Sequence, residues 1–191
     1  HQEMLRKLTH GINGMFFAIL VYLFSIASSI FFFSFLLLAT LFFSDRMAKG
    51  KRYPFISWLV NKAERKEIGK GAKWYFCGVL FNLIIFGLID IPKEIIASAM
   101  IIVALGDSFC SLGRVLGKRR LPKTISKTLE GTIFGILFSF IGAFAFLLLK
   151  FNIITSLLLS LSGSIAGMLA EAYLIKPDDN FTITVLSVLQ W

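Results

Sequence analysis

Charged residues are scarce in this 191-residue chain: Asp, Glu, Lys and Arg together make up 16% of it, whereas soluble domains carry about 25%. Apolar residues make up 57%, including 21 Phe, and the mean hydropathy is +0.79. The sequence has no glycine period and no polar low-complexity tract, which excludes collagen-like and disordered classes. This composition predicts an all-α, polytopic integral membrane protein with one membrane-embedded domain over residues 1–191.

Cysteine is also rare. The chain has only two, Cys77 and Cys110, which excludes a scaffold held together by several disulfides. Both lie in apolar stretches typical of helices, so we expect two buried thiols. The alternatives are a disulfide or a metal-binding pair.

Uncharged runs locate the expected membrane spans. Residues 11–44 contain no Asp, Glu, Lys or Arg, and this run is too long for one helix across about 30 Å of hydrocarbon or for the apolar region of a signal peptide. It therefore predicts two spans with a tight turn at Ser28–Ser29. We expect about seven spans, of which the last has only 11 residues: 11–28, 29–44, 74–89, 95–113, 131–149, 151–170 and 181–191.

The distribution of positive charge supports this span count independently. With the N-terminus in the cytoplasm, seven spans place all 20 Lys and Arg residues on the cytoplasmic side except Lys93 and Lys150. The positive-inside rule looks for this asymmetry. A single span over 11–44 would move the basic segment 45–73 to the opposite side and destroy it.

Asp107 is the one acidic residue within the 95–113 span, and an ionisable group inside a span is costly and usually functional. In a continuous helix it shares one polar face with Ser111, Arg114 and Lys118. A structural alternative is that Asp107 merely pairs with Arg114. Beside the polar face runs a stripe of small residues, which favours close helix packing. The stripe consists of Gly106, Cys110, Gly113 and Gly117.

Two later spans carry similar small-residue stripes. One stripe contains Gly163 and Gly167 and continues along the same helix face to the acid Glu171. We expect both spans to pack against the Asp107 helix, with Asp107 and Glu171 facing the bundle rather than lipid. The other stripe consists of Gly131, Gly135, Ser139 and Gly142.

The segment 117–131 has the features of an anion-binding loop. It contains five Lys or Arg residues, glycines and several hydroxyl groups, and it leads into a predicted helix N-terminus near residues 126–128. Free N–H groups and the dipole at a helix N-terminus favour phosphate. A basic loop at the membrane surface would explain the cations alone, but it would not explain the glycine and hydroxyl placement or Glu130.

A third polar patch offers oxygen ligands on the same predicted side of the membrane. It comprises Glu171, Asp178, Asp179 and Asn180. Mg²⁺ prefers one or two carboxylates together with phosphate oxygens, and phosphoryl transfer depends mainly on positioning and charge neutralisation. The pattern is typical of a metal–triphosphate site, although adjacent acids can also simply end a helix and begin a turn.

Short segments that contain these candidate residues resemble the signature G-D-x…G…G-K…K-S/T-x-E-G of the CTP-dependent lipid-alcohol kinases, which include dolichol, phytol and farnesol kinases. Two flanking elements resemble the R-K-x-x-H and D-D-N-h-T-I/V elements of the same family, although Thr184 stands where these kinases usually have Pro. The central signature also resembles that of the phosphatidate cytidylyltransferases. The matching segments are Arg6-Lys7-Leu8-Thr9-His10, Gly106-Asp107-Ser108, Gly113-Arg114, Gly117-Lys118, Lys127-Thr128-Leu129-Glu130-Gly131 and Asp178-Asp179-Asn180-Phe181-Thr182-Ile183.

The resemblance implies transfer of the γ-phosphoryl group of CTP, with Mg²⁺, to the hydroxyl of a polyprenol or similar lipid alcohol at the cytoplasmic face. It implies membrane lipids, CTP and the alcohol as partners, and no nucleic acid. The implied metal ligands are Asp107, Asp178, Asp179 and Glu171. The implied catalytic residues are Asp107, Asp178, Asp179, Lys127 and Glu130. The implied nucleotide contacts are Arg114, Gly117, Lys118, Lys127, Thr128, Gly131 and Asn180.

Two other functions remain open at this point. A cytidylyltransferase would use a lipid phosphate to attack the α-phosphorus of CTP and would release pyrophosphate. A transporter would place polar groups along a path through the membrane midplane, whereas the polar groups here gather on one predicted face.

Overall fold

A computed structural model describes residues 2–49, 70–122, 124, 127–173 and 179–188. Within these ranges the fold is helical, and the one β-type pairing is an isolated bridge between Arg120 and Thr128. The expected all-α class is therefore confirmed for this part of the chain. The helices are α1 (Gln2–Leu23), α2 (Ile26–Ala48), α3 (Lys70–Leu88), α4 (Lys93–Leu116), α5 (Leu129–Leu147), α6 (Ile153–Tyr173) and α7 (Asp179–Val188).

Five of these helices, α2 to α6, are long and apolar enough to cross a membrane. α1 contributes a shorter apolar segment, Thr9–Leu23, and α7 has only 10 residues. At about 1.5 Å per residue α7 extends about 15 Å, roughly half of the hydrocarbon thickness. The described helices are thus those of a membrane-embedded protein, and five of the seven expected spans have the length of a complete crossing.

The first turn lies earlier than the sequence predicted. α1 ends at Leu23 and α2 begins at Ile26, so the predicted turn at Ser28–Ser29 is wrong. The reason is helix capping: the Oγ of Ser25 accepts a hydrogen bond from the backbone N–H of Ser28 at 3.2 Å. An N-cap residue satisfies donors two or three positions later, so Ser28 belongs to the first turn of α2.

α4 is the central helix of the bundle. Most of its residues between Glu94 and Gly113 are buried, and it packs against α1, α3, α5, α6 and α7. The outer helices instead expose large apolar side chains, such as Phe31 and Phe35 on α2 and Ile141 on α5. Exposed apolar surface of this kind suits contact with lipid chains, which are as apolar as the side chains themselves.

The small-residue stripes form the contacts between α4, α5 and α6. A Cβ atom built on Gly113 would lie 2.9 Å from the Cα of Gly131, and one built on Gly131 would lie 2.8 Å from the carbonyl oxygen of Cys110. α6 joins the same contact because the Met168 side chain occupies the space beside Gly106. The prediction that these three helices pack closely through their small residues is confirmed.

α1 packs closely on α4 through a pair of glycines that the sequence reasoning did not single out. A Cβ atom on Gly11 would lie 2.7 Å from the Oγ of Ser108, and one on Gly14 would lie 2.6 Å from the Cβ of Ala104. The first helix therefore lies directly against the helix that carries Asp107.

The two cysteines are free thiols, as expected. Cys110 is buried on α4, whereas Cys77 on α3 is only partly buried. The prediction of unpaired thiols is confirmed for both residues, and the prediction of burial is confirmed for Cys110.

Replacing Gly113 with Ala is expected to destabilise the fold by about 1–3 kcal/mol, because the added methyl group meets the backbone of α5 rather than a flexible side chain. Gly163→Ala is the matched control. Its Cβ would meet the terminal methyl of Ile102 at 2.8 Å, and that side chain can move aside. Thermal unfolding of both variants in detergent tests the prediction, and a Gly113→Ala variant as stable as Gly163→Ala would contradict it.

Candidate functional site: a charged cluster at one end of the helix bundle

Charged side chains from distant parts of the chain meet at one end of the bundle. The contributing segments are the beginning of α1, the last three turns of α4, the loop before α5 and the end of α6. We call the residues Lys7, Asp107, Arg114, Lys127 and Glu171 the charged cluster.

Asp107 forms an ion pair with Lys7 of α1. The Nζ of Lys7 lies 2.6 Å from Oδ1 and 2.5 Å from Oδ2 of Asp107, which is only 8% exposed. The neighbouring Ser108 hydroxyl lies 2.8 Å from the carbonyl oxygen of Lys7, to which it donates. Arg114 pairs with Glu171, so the structural alternative of an Asp107–Arg114 pair is wrong.

Glu171 is 1% exposed, and it balances two cations at once. Its Oε1 accepts hydrogen bonds from the Nζ of Lys127 and, at 3.3 Å, from the Nη2 of Arg114. Its Oε2 lies 3.4 Å from the Sγ of Cys110, which donates to it. A carboxylate this deeply buried requires such partners because an unpaired ion in an apolar interior is very costly. Glu171 therefore fixes the positions of Arg114 and Lys127.

One buried donor of Arg114 is unused in the part of the chain that the structure describes. Its Nε is buried and has no hydrogen-bond partner among the described residues, while the side chain as a whole is 31% exposed. A buried donor without an acceptor costs free energy, and the cost is greater for charged groups. With three cations and two carboxylates, the charged cluster is suited to receive an anion.

Glu130 and Thr128 shape the loop between α4 and α5. The Glu130 carboxylate accepts hydrogen bonds from the backbone N–H groups of Lys118 at 3.3 Å and Arg119 at 3.2 Å. The Oγ1 of Thr128 accepts from the N–H of Gly131 at 3.1 Å and so caps α5. These contacts give both residues a structural part in holding the loop, and their predicted catalytic and nucleotide-binding roles stay predictions.

The glycines of the predicted signature are required for space. A Cβ atom on Gly117 would lie 2.7 Å from the Oε2 of Glu130, and Gly131 lies against the backbone of α4. Lys118 follows Gly117 and its side chain is exposed. The signature thus includes residues that permit the close approach of α4 and α5 as well as residues that carry charge.

The C-terminal patch is only partly described. The Nδ2 of Asn180 donates to the carbonyl oxygen of Gly71 at 3.4 Å, which ties the start of α7 to the start of α3. Asp179 is the first residue of α7. Asp178 and the side chain of Asp179 lie outside the described residues, so their roles as metal ligands and catalytic groups stay predictions.

A preformed metal centre is not present among the described residues, where no three or more His, Cys, Asp or Glu side chains are grouped as ligands. Asp107 and Glu171 are paired with different cations instead. The donor set nevertheless fits a Mg²⁺ ion that arrives on nucleotide phosphates, because such an ion needs only one or two protein carboxylates. Asp107, with a single lysine as its partner, suits that purpose better than Glu171.

Lys7 is the residue of the charged cluster that sequence reasoning missed. It was part of the element Arg6-Lys7-Leu8-Thr9-His10 but was given no role. A signal was present: an acid inside a span needs a cation on a neighbouring helix, and Lys7 lies at the predicted cytoplasmic end of the adjacent first helix.

Comparisons with protein-family models, with curated proteins and with solved structures found no match to this chain. The likeness to the lipid-alcohol kinases is therefore carried by the motif residues alone.

Glu171→Gln is expected to destabilise the protein by about 3–5 kcal/mol, because it leaves Arg114 and Lys127 without their buried counter-ion. The matched control is Asp45→Asn, which makes the same acid-to-amide change in the exposed Lys49–Asp45 pair and should cost about 0–1 kcal/mol. Midpoints of thermal unfolding in detergent measure both effects. Equal shifts for the two variants would show that Glu171 does not hold the cluster together.

Proposed function

We propose that this chain is a CTP-dependent kinase that transfers the γ-phosphoryl group of CTP to the hydroxyl of a polyprenol or similar lipid alcohol. The observation that carries the proposal is the charged cluster, in which two buried carboxylates hold three cations at one end of a membrane helix bundle. We further propose that this end faces the cytoplasm, because the positive-inside pattern favours that orientation.

The cations of the cluster support binding of a polyphosphate. Arg114 offers a buried N–H group that has no partner in the described part of the chain, and guanidinium groups recognise phosphate oxygens with several donors at once. Lys127 is held close by through Glu171. Lys7 can exchange the Asp107 carboxylate for a phosphate oxygen, since an ammonium group on a flexible stem binds either anion.

The acids of the cluster have separate parts in this proposal. Asp107 would hold the Mg²⁺ ion that accompanies CTP, and that ion neutralises charge on the phosphates. Glu171 keeps Arg114 and Lys127 in position for phosphate binding. Phosphoryl transfer depends mainly on such positioning and charge stabilisation, and Asp178 and Asp179 are the proposed candidates for accepting the proton of the alcohol.

The surroundings of the cluster support a lipid as the acceptor. The helices around it expose apolar side chains suited to lipid, so a lipid alcohol can approach from within the bilayer while its hydroxyl stays near the bundle end. The choice of CTP over other nucleotides, and of an isoprenoid alcohol over other lipids, comes from the motif resemblance.

Purified protein incubated with CTP, Mg²⁺ and farnesol is expected to form CDP and a phosphorylated lipid. CTP labelled at the γ-phosphate transfers its label to the lipid fraction if the protein is a kinase. Release of labelled pyrophosphate with a phosphatidate acceptor would instead support the cytidylyltransferase alternative. Absence of both products would contradict both enzymatic functions.

Asp107→Asn is expected to lower kcat by roughly 100-fold or more, since it removes the charge that the proposal assigns to the metal–phosphate complex. Asp90→Asn makes the same change in the exposed turn before α4, at the opposite end of the bundle, and should retain full activity. Because Asp107→Asn leaves Lys7 unpaired, the double variant Lys7→Gln/Asp107→Asn provides a check on folding. It should recover stability without recovering activity, and normal turnover in either Asp107 variant would exclude the proposed role.

A further inference from the structure

The two carboxylates of the charged cluster are held in different ways. The Glu171 side chain is 1% exposed and is bound by two cations and by the thiol of Cys110. The Asp107 side chain is 11% exposed, and within the described ranges it accepts hydrogen bonds from one side chain, that of Lys7, which is itself 23% exposed. The Lys7–Asp107 pair is therefore open to a ligand from solvent, whereas the contacts of Glu171 are closed.

Lys7 competes with any metal ion for the Asp107 carboxylate. Its Nζ lies 2.6 Å from Oδ1 and 2.5 Å from Oδ2. A Mg²⁺ ion bonds to oxygen at about 2.1 Å, so on either oxygen of Asp107 it would lie within about 5 Å of this ammonium group. A lone divalent ion would also raise the net charge of the charged cluster from +1 to +3. Like charges this close together in a partly buried site repel each other strongly.

The contact between α1 and α4 fixes the backbone of Lys7 and leaves its side chain free to move. The Ser108 hydroxyl lies 2.8 Å from the carbonyl oxygen of Lys7, to which it donates, and a Cβ atom on Gly11 would lie 2.7 Å from the same hydroxyl oxygen. A lysine side chain is a flexible four-carbon stem that ends in one charged group. The ammonium group can therefore leave Asp107 by rotation of side-chain torsions while α1 stays in place.

We infer that Lys7 gates metal binding: Asp107 binds a divalent cation only together with a polyphosphate. The Lys7 ammonium moves from Asp107 to the phosphate oxygens, and the freed carboxylate then binds the metal ion that the phosphates carry. The negative charge of the phosphates also offsets the repulsion that excludes the ion by itself. The inference rests on the proposed kinase function and adds a rule for its site, which is that a free cation does not bind and a metal–polyphosphate complex does.

Lys7→Gln tests the gate by metal binding alone. The full chain is placed in phosphatidylcholine nanodiscs, and binding of Mn²⁺, a paramagnetic substitute for Mg²⁺, is measured by electron paramagnetic resonance without nucleotide. We expect Lys7→Gln to bind Mn²⁺ at least about tenfold more tightly than the wild type, because the competing cation is gone. The double variant Lys7→Gln/Asp107→Asn should lose this gain. Equal affinity for Mn²⁺ in Lys7→Gln and the wild type would overturn the inference.

The matched control for this measurement is Lys49→Gln. It makes the same change in the exposed Lys49–Asp45 pair and should bind Mn²⁺ as the wild type does. A gain in Lys49→Gln as large as that in Lys7→Gln would show that any lost positive charge has this effect, and it would also overturn the inference.

Lys7→Arg provides a second test that keeps the positive charge beside Asp107. Arginine binds a carboxylate with two parallel hydrogen bonds, so it should hold Asp107 more firmly and weaken binding of Mn²⁺–tripolyphosphate about threefold or more. A residue that only binds phosphate would tolerate arginine, which suits phosphate oxygens well. Equal or tighter binding of this complex by Lys7→Arg would overturn the inference, even if Lys7→Gln does not fold.

These binding measurements need no turnover and so separate the gate from the kinase proposal. If both Lys7 variants behave as expected but the wild type forms no CDP from CTP, the kinase proposal fails and the gate stands. If the wild type binds Mn²⁺ alone as tightly as it binds Mn²⁺ with tripolyphosphate, the gate fails even where turnover is intact.

Discussion

Two carboxylates buried in an apolar bundle, Asp107 and Glu171, require cations within bonding distance, and this requirement organises one end of the molecule. Each acid lies on a different helix and takes its partners from other segments: Lys7 from α1, Arg114 from the end of α4 and Lys127 from the loop before α5. Because leaving any of these charges unpaired would be costly, the ion pairs connect α1, α4, α6 and the loop at a single place. The same cations outnumber the acids, so the arrangement that joins the helices also attracts anions.

Small residues allow those charges to meet. Gly113 and Gly131 let the backbones of α4 and α5 approach so closely that neither position has room for a side chain, and Gly11 does the same between α1 and α4. Arg114 directly follows the first of these glycines and Lys127 lies shortly before the second. The distances among the charged groups are therefore set by contacts between backbones, which vary much less than contacts between long flexible side chains.

The features that depend on local spacing were predictable from the sequence. The small-residue stripes and the inward orientation of Asp107 and Glu171 follow from the helical period, and the structure confirms both. Features that depend on which side chains from different helices become partners were not predictable. Asp107 pairs with Lys7 rather than with Arg114, because the pairing is decided by which helix lies opposite. The first turn was misplaced for a related reason: three nearby serines can each cap a helix, and only Ser25 does so.

The near-complete burial of Glu171 has a consequence for what happens when no anion is bound. If their shared counter-ion were exposed to water, salt would screen its attraction, and the repulsion between Arg114 and Lys127 would push the two side chains apart. Since Glu171 is shielded from solvent, the attraction that it exerts persists at any ionic strength the membrane surface experiences. The two cations therefore keep their places in the empty protein, and an arriving ligand meets a preorganised receptor that requires little rearrangement.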